Sequence, residues 1–163
     1  SGRALVHPVD LRAILARIVQ LLEVRAGEVN TVICIDHLDR LPQVRMAEGD
    51  AEQLFFSLIE NLICFADGKE RHHVEVSGVV NAHHVELRFT GDYGLGDEEG
   101  SDLSAGHLVT PESAGKGVDC GLCVASDIVT RADGSIRRES AADARPTFVV
   151  VLPIAGQVAI QGD

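Results

Sequence analysis

Two thiols, Cys120 and Cys123, bracket Gly121-Leu122 at the spacing of a redox pair or of half a zinc site. No second CxxC exists, and Cys34 and Cys64 stand alone in apolar surroundings, so such a site lacks its other half. The pairs His72-His73 and His83-His84 flank a predicted hairpin, where they could bind metal at its open end. Unligated surface histidines are the simpler reading. Three other groups carry oxygen or backbone chemistry: the DxGxG run Asp92-Tyr93-Gly94-Leu95-Gly96, Asn61 inside an apolar helical stretch, and Gly117-Val118-Asp119-Cys120-Gly121-Leu122. Taken singly, the first reads as a turn and the second as a solvent-facing or capping amide.

These residues need elements to hold them. Leu11, Ile14, Leu15, Ile18, Val19 and Leu22 recur at three- and four-residue spacing and predict a helix from Val9 to about Arg25, capped by Asp10. Glu48 and Asp50 open a second helix carrying Leu54, Phe55, Leu58, Ile59 and Leu62, and Asn61 sits within it. Leu122, Val124, Ala125, Ile128 and Val129 give a third, from Gly121 to Arg131, which Asp133-Gly134 ends. Strands are predicted at Thr31–Ile35 and Val44–Met46, forming one hairpin, at His73–Val80 and His84–Phe89, and at Ser135–Arg138 and Thr147–Leu152. Asp92 follows the fourth of these. Between Gly91 and Gly117 lies a loop far longer than ordinary connections, of a length that is functional or disordered.

Composition removes several classes. A formal charge of −11, with 25 acids against 14 bases, leaves no basic stripe for phosphate neutralisation, and aromatics at 4% give no base-stacking platform. Nucleic acid is therefore not an expected partner. Apolar runs fall short of the roughly 20 residues a membrane helix needs, and no secretory signal is visible. Four cysteines in 163 residues fit reduced thiols in the cytosol. Length and a 45% hydrophobic content fit one domain, read as residues 7–154, with 1–6 a tag remnant or linker and 155–163 a tail.

In their order along the chain, Asn61, the Asp92–Gly96 run and the Gly117–Leu122 run resemble the N, G1 and G2 boxes of the ATP-binding catalytic domain of bacterial sensor histidine kinases. That domain belongs to the superfamily that includes gyrase, the heat-shock ATPase chaperones and the mismatch-repair ATPases. His7-Pro8-Val9-Asp10-Leu11 resembles its opening, and Gly134-Ser135-Ile136 with Thr147-Phe148 to Leu152-Pro153 resembles its closing strands. The resemblance implies an α/β (α+β) two-layer sandwich of the Bergerat type, a mixed sheet covered on one face by about three helices. It implies ATP and magnesium as cofactors. Asp92 would accept from the adenine amino group, Gly94 and Gly96 would let the backbone pass close to the base, and Thr147 would support the aspartate. Asn61 would ligate magnesium, a hard cation that takes oxygen ligands. Lys116, Gly117, Gly121 and Leu122 would lie at the phosphates, where a helix start directs N–H groups. Such a protein histidine kinase works by positioning and needs no strong general base, so no catalytic residue is singled out. Its partners would be a histidine-bearing dimerisation domain of the same full-length protein and a response regulator. A cytoplasmic location follows, whether or not the full-length protein is membrane-anchored, with no direct membrane contact by this domain.

The pattern departs from the family mainly on the phosphate side. Ser57 stands one turn before Asn61, where Asn or His is usual, and Cys64 stands where Lys or Arg is common. The middle glycine of the G2 box is Asp119 and the next leucine is Cys120, and the loop from Asp97 to Ala114 lacks a phenylalanine-bearing segment. Facing a phosphate at 4 Å, Asp119 would be repelled by about 4 kcal/mol at an effective dielectric near 20. None of the seven histidines is followed by an acid on a helical stretch, so the phosphorylated histidine is expected outside this chain. The departures motivate an alternative, a degenerate ATPase-like domain that binds nucleotide weakly or not at all and serves as a docking module in a phosphotransferase. A serine kinase acting on an anti-sigma-factor antagonist is a weaker third reading.

Overall fold

The computed structural model describes residues 6–63, 70–92, 120–140 and 145–155. Three helices among these follow from the apolar periodicity: α1 (Leu11–Glu28), α2 (Glu48–Ile63) and α3 (Cys120–Arg131). Asp10 caps α1 as expected, its side chain accepting from the Ala13 N–H at 3.2 Å, and Leu11, Ile14, Leu15, Ile18, Val19 and Leu22 are all buried. Seven strands complete the described residues: β1 (Val6–Val9), β2 (Thr31–Asp36), β3 (Val44–Ala47), β4 (His72–Val80), β5 (His84–Gly91), β6 (Ser135–Ser140) and β7 (Pro146–Pro153).

The large sheet has the order β2-β4-β5-β7-β6, with β2 parallel to β4 and the other pairs antiparallel. On β5 the side chains alternate, with Val85, Leu87 and Phe89 buried, and opposite them on β7 stand Leu152, Val150 and Phe148. Against this apolar face the helices lie side by side in the order α1, α2, α3. The result is the α+β two-layer architecture expected from the sequence, a mixed sheet with helices on one face.

One expected pairing does not form. The strands predicted as a hairpin, β2 and β3, belong to different sheets: β2 runs beside β4 from Thr31 opposite His72 to Asp36 opposite Ser77, while β3 pairs antiparallel with β1. Their connection turns inward. Leu38 is buried, and it packs with Leu41 over Gly78 so tightly that a Cβ at Gly78 would lie 2.9 Å from the Leu38 Cδ2. Strand β1, from Val6 to Val9, was not anticipated, because Pro8 interrupts its pattern; proline is tolerated there because both strands of a two-stranded sheet are edges.

The far face of the large sheet carries charge. Arg88 donates from Nε to Glu86 at 2.9 Å and from Nη1 to Glu139 at 3.2 Å, and the Arg137 Nε donates to Glu139 at 2.7 Å. The Arg137 hydrogen bond, reinforced by the charges of Arg137 and Arg88, holds the Glu139 carboxyl below the usual carboxylate range. With the folded value lower than the unfolded one, this stabilisation is complete above the ordinary carboxylate range and fades as pH falls through the lowered value. Glu139→Gln should therefore flatten the loss of melting temperature between about pH 5 and pH 3 in calorimetric scans. An unchanged slope would count against the bridge.

Candidate functional site

Strand register determines which residues share an end of the sandwich. β5 starts at His84, opposite Pro153, and finishes with Thr90 opposite Thr147 and Gly91 opposite Val74. Asp92, the start of β4 and the start of β7 therefore lie together. β6 begins at the other end, with Ser135 opposite Val151, so α3, which ends at Arg131 just before it, starts at the Asp92 end.

Helix α2 runs opposite to α3, because Asp50 in its first turn is paired with Arg131 at 3.2 Å. Asp50, Leu54, Ser57 and Asn61 fall on one stripe of α2, the stripe turned toward α3. Eleven residues carry the chain from Asp50 to Asn61, roughly 16 Å at 1.5 Å per residue. Eleven residues back from Arg131 is Cys120, so Asn61 stands level with the first turn of α3, where Gly121 lies. Ser57 and Asn61 are buried polar residues, 8% and 5% exposed, on a helix whose other buried residues are all apolar.

Asp92 is built into the end of the sheet. With Val74 opposite Gly91, the next ladder position would join His73 to the Asp92 main chain, but the Asp92 Oδ2 takes that place, accepting the His73 N–H at 2.7 Å. The Nδ1 atoms of His72 and His73 each lie 3.7 Å from the same oxygen. The side chain is 27% exposed, and its Oδ1 has no hydrogen-bond partner among the described residues. One oxygen is thus anchored to the start of β4.

Thr147, expected to support Asp92, is buried, and its hydroxyl is 3.0 Å from that of Thr90. It braces β5 two residues before the aspartate rather than touching it. Leu122 is 2% exposed and belongs to the hydrophobic core. Gly94, Gly96, Lys116 and Gly117, together with Cys64 and Asp119, lie outside the described residues. The structure thus brings Asn61, Asp92, Gly121 and Thr147 to one end.

The histidine pairs do not meet. His72-His73 open β4 while His83-His84 sit at its turn into β5, so they stand at opposite ends of the hairpin rather than sharing its open end. His72 is buried, not a surface histidine. No group of three or more His, Cys, Asp or Glu among the described residues could hold a metal ion, and no helix among them is long and apolar enough to cross a membrane. Cys34 and Cys123 are both exposed. A cavity of about 490 Å³ opens at the other end of the domain, between Arg45, Met46, Asp50 and Arg131, away from Asp92.

The fold is that of the catalytic domains of sensor histidine kinases. The catalytic domain of the histidine kinase ThkA superposes with a TM-score of 0.74 at 17% identity, covering 92% of this chain and 97% of that one. The mycobacterial sensor histidine kinase MprB gives 0.70 at 18%, covering 92% of this chain and 98% of its own, and the Acinetobacter baumannii histidine kinase AdeS gives 0.70 at 17%, covering 95% and 70%. The full-length ShkA structure in complex with AMPPNP gives 0.74 at 18%, and there this chain spans 33% of the neighbour. No protein-family model and no curated protein matches the sequence.

Proposed function

We propose that this domain binds Mg-ATP at the end of the sandwich shared by Asp92, Asn61 and the start of α3, and presents the γ-phosphoryl group to a histidine on a dimerisation domain outside this chain. The carrying observation is the Asp92 carboxylate, anchored through Oδ2, with no partner for Oδ1 among the described residues and the side chain partly exposed. A fixed acceptor of this kind suits the exocyclic amine of adenine and disfavours the carbonyl that guanine has at the same position. The donor set fits the group. Asn61 offers a neutral amide oxygen level with the first turn of α3, and Gly121 keeps that turn open for phosphate oxygens to approach its N–H groups. Magnesium, when bound, supplies charge neutralisation between the phosphates. Asn61 would hold it through the amide oxygen, Asp92 would fix the base, and α3 would orient the phosphate chain. A response regulator would then take the phosphoryl group from the partner histidine, with the domain working in the cytoplasm. The ShkA neighbour, solved with AMPPNP, supports a nucleotide in this fold.

A docking module without nucleotide remains the second reading, motivated by Cys64, Asp119 and Cys120 in place of the usual phosphate-side residues. A calorimetric titration of ATP with and without magnesium separates the two. Micromolar binding that weakens by tenfold or more in Asp92→Asn is expected, since a hydrogen bond to a charged group contributes about 1.5–3 kcal/mol. No binding at millimolar ATP would sink the kinase reading and leave the docking module.

A further inference from the structure

We infer that His72 is a positioning residue that, with the His73 main chain, holds the carboxylate of Asp92 so that Oδ1 faces the nucleotide base. The inference rests on the adenine-acceptor reading of Asp92 and adds a residue to it. Three features of the site carry it.

First, among the described residues the polar contacts of Asp92 fall on one oxygen. Oδ2 takes the His73 N–H at 2.7 Å and lies 3.7 Å from both imidazole Nδ1 atoms, while Oδ1 has no hydrogen-bond partner among the described residues. A single hydrogen bond fixes one oxygen but leaves the carboxylate free to swing about it, and a second polar group on the same side narrows that swing. Second, the two imidazoles differ in their own freedom. The His73 side chain is 48% exposed, whereas that of His72 is 6% exposed. His72 sits opposite Thr31 on β2 and its N–H donates to the Asn30 carbonyl at 3.0 Å, so its main chain is pinned on both sides. A buried ring on a pinned strand is a fixed reference point, and an exposed one is not. Third, Asp92 follows the last residue of β5, so the ladder itself no longer constrains it. The contacts from the first two residues of β4 are what replace that constraint.

Leu and Asn have nearly the same shape, and an Asn amide nitrogen can occupy the place of the His Nδ1, so His72→Leu and His72→Asn form a matched pair differing in the polar atom. Before any nucleotide is added, the amide proton shift of His73 reports its bond to Oδ2. It should move in His72→Leu toward the value in Asp92→Asn and stay near the wild-type value in His72→Asn. With ATP, His72→Leu should bind about tenfold more weakly than the wild type, and His72→Asn should recover most of that loss. In the Asp92→Asn background, His72→Leu should cause no further weakening, because its effect passes through the carboxylate. Equal weakening in both backgrounds, or equal behaviour of the Leu and Asn variants, would overturn the inference and leave His72 a packing residue. Should His72→Leu not fold, His72→Gln, whose amide lies one methylene farther out, replaces it with the same expected loss. A wild-type chain that ignores ATP would overturn the nucleotide reading, and the His73 shift would still decide the positioning role.

Discussion

Phe89→Ala should lower the free energy of unfolding by about 3–5 kcal/mol, the usual cost of emptying a buried aromatic site. Phe89 is 0% exposed, its ring centroid lies 6.0 Å from that of Phe55 on α2 at an interplanar angle of 31°, and Phe148 stands directly opposite it on β7. With no Trp and five Phe in the chain, few side chains are large enough to fill the gap from the flanks. The residue also joins the two layers three positions before Asp92, so the helix carrying Asn61 and the strand carrying the aspartate rest on the same contact. Guanidinium unfolding followed by circular dichroism measures the loss, and Phe89→Leu should show about a third of it. A loss under about 1 kcal/mol for Phe89→Ala would mean that the layers can collapse onto the vacancy.

Which parts of this fold could be read beforehand follows from the range of the interactions. The three helices were legible because their apolar stripes repeat within each segment, and the cap at Asp10 is a contact three residues long. β4 and β5 were legible for the same reason, alternation on either side of a short turn at Asn81. The partners of β2 and β3 were not. Proximity in sequence suggested a hairpin, yet β2 pairs with a strand about forty residues later, and the decisive packing of Leu38 on Gly78 joins residues that no local pattern connects.

The order with the glycine-rich runs singled out Asp92 and Asn61, which the fold brings to one end, but the means of holding the aspartate was not legible. That Asp92 would spend one oxygen on the His73 main chain depends on the β4–β5 register, in which a shift of one residue would exchange the faces of both strands. The signal that existed was the doubled histidine at a strand start, and its simpler reading was a surface feature. Thr147 shows the converse. Its sequence position suited support of the aspartate, yet the pairing of Thr90 with Thr147 across the ladder gives its hydroxyl a nearer partner.

The second large effect lies at the opposite end, where α3 turns into β6. A Cβ on Gly134 would clash with the Val151 carbonyl oxygen and sit 2.9 Å from the Leu152 Cδ2, and the first of these atoms is main chain in a paired strand. Gly134→Ala should therefore cost about 2–3 kcal/mol, since β6 must shift against β7 to admit one methyl group. The left-handed position of the helix end is the residue before it: Asp133 has φ 60°, and the Asp133 and Gly134 N–H groups donate to the carbonyls of Thr130 and Val129 at 3.1 and 2.7 Å. Asp133→Gly should accordingly be neutral or stabilising by up to about 1 kcal/mol, because a side chain in that conformation is mildly strained. The two substitutions thus separate conformational freedom from space, and thermal melts of both compare them directly. A Gly134→Ala variant as stable as the wild type would show that the clash at Val151 is relieved at no cost. Because this end holds the last turn of α3 while the nucleotide would meet its first, folded Gly134→Ala protein should keep most of its ATP affinity, a result that separates loss of stability from damage to the site.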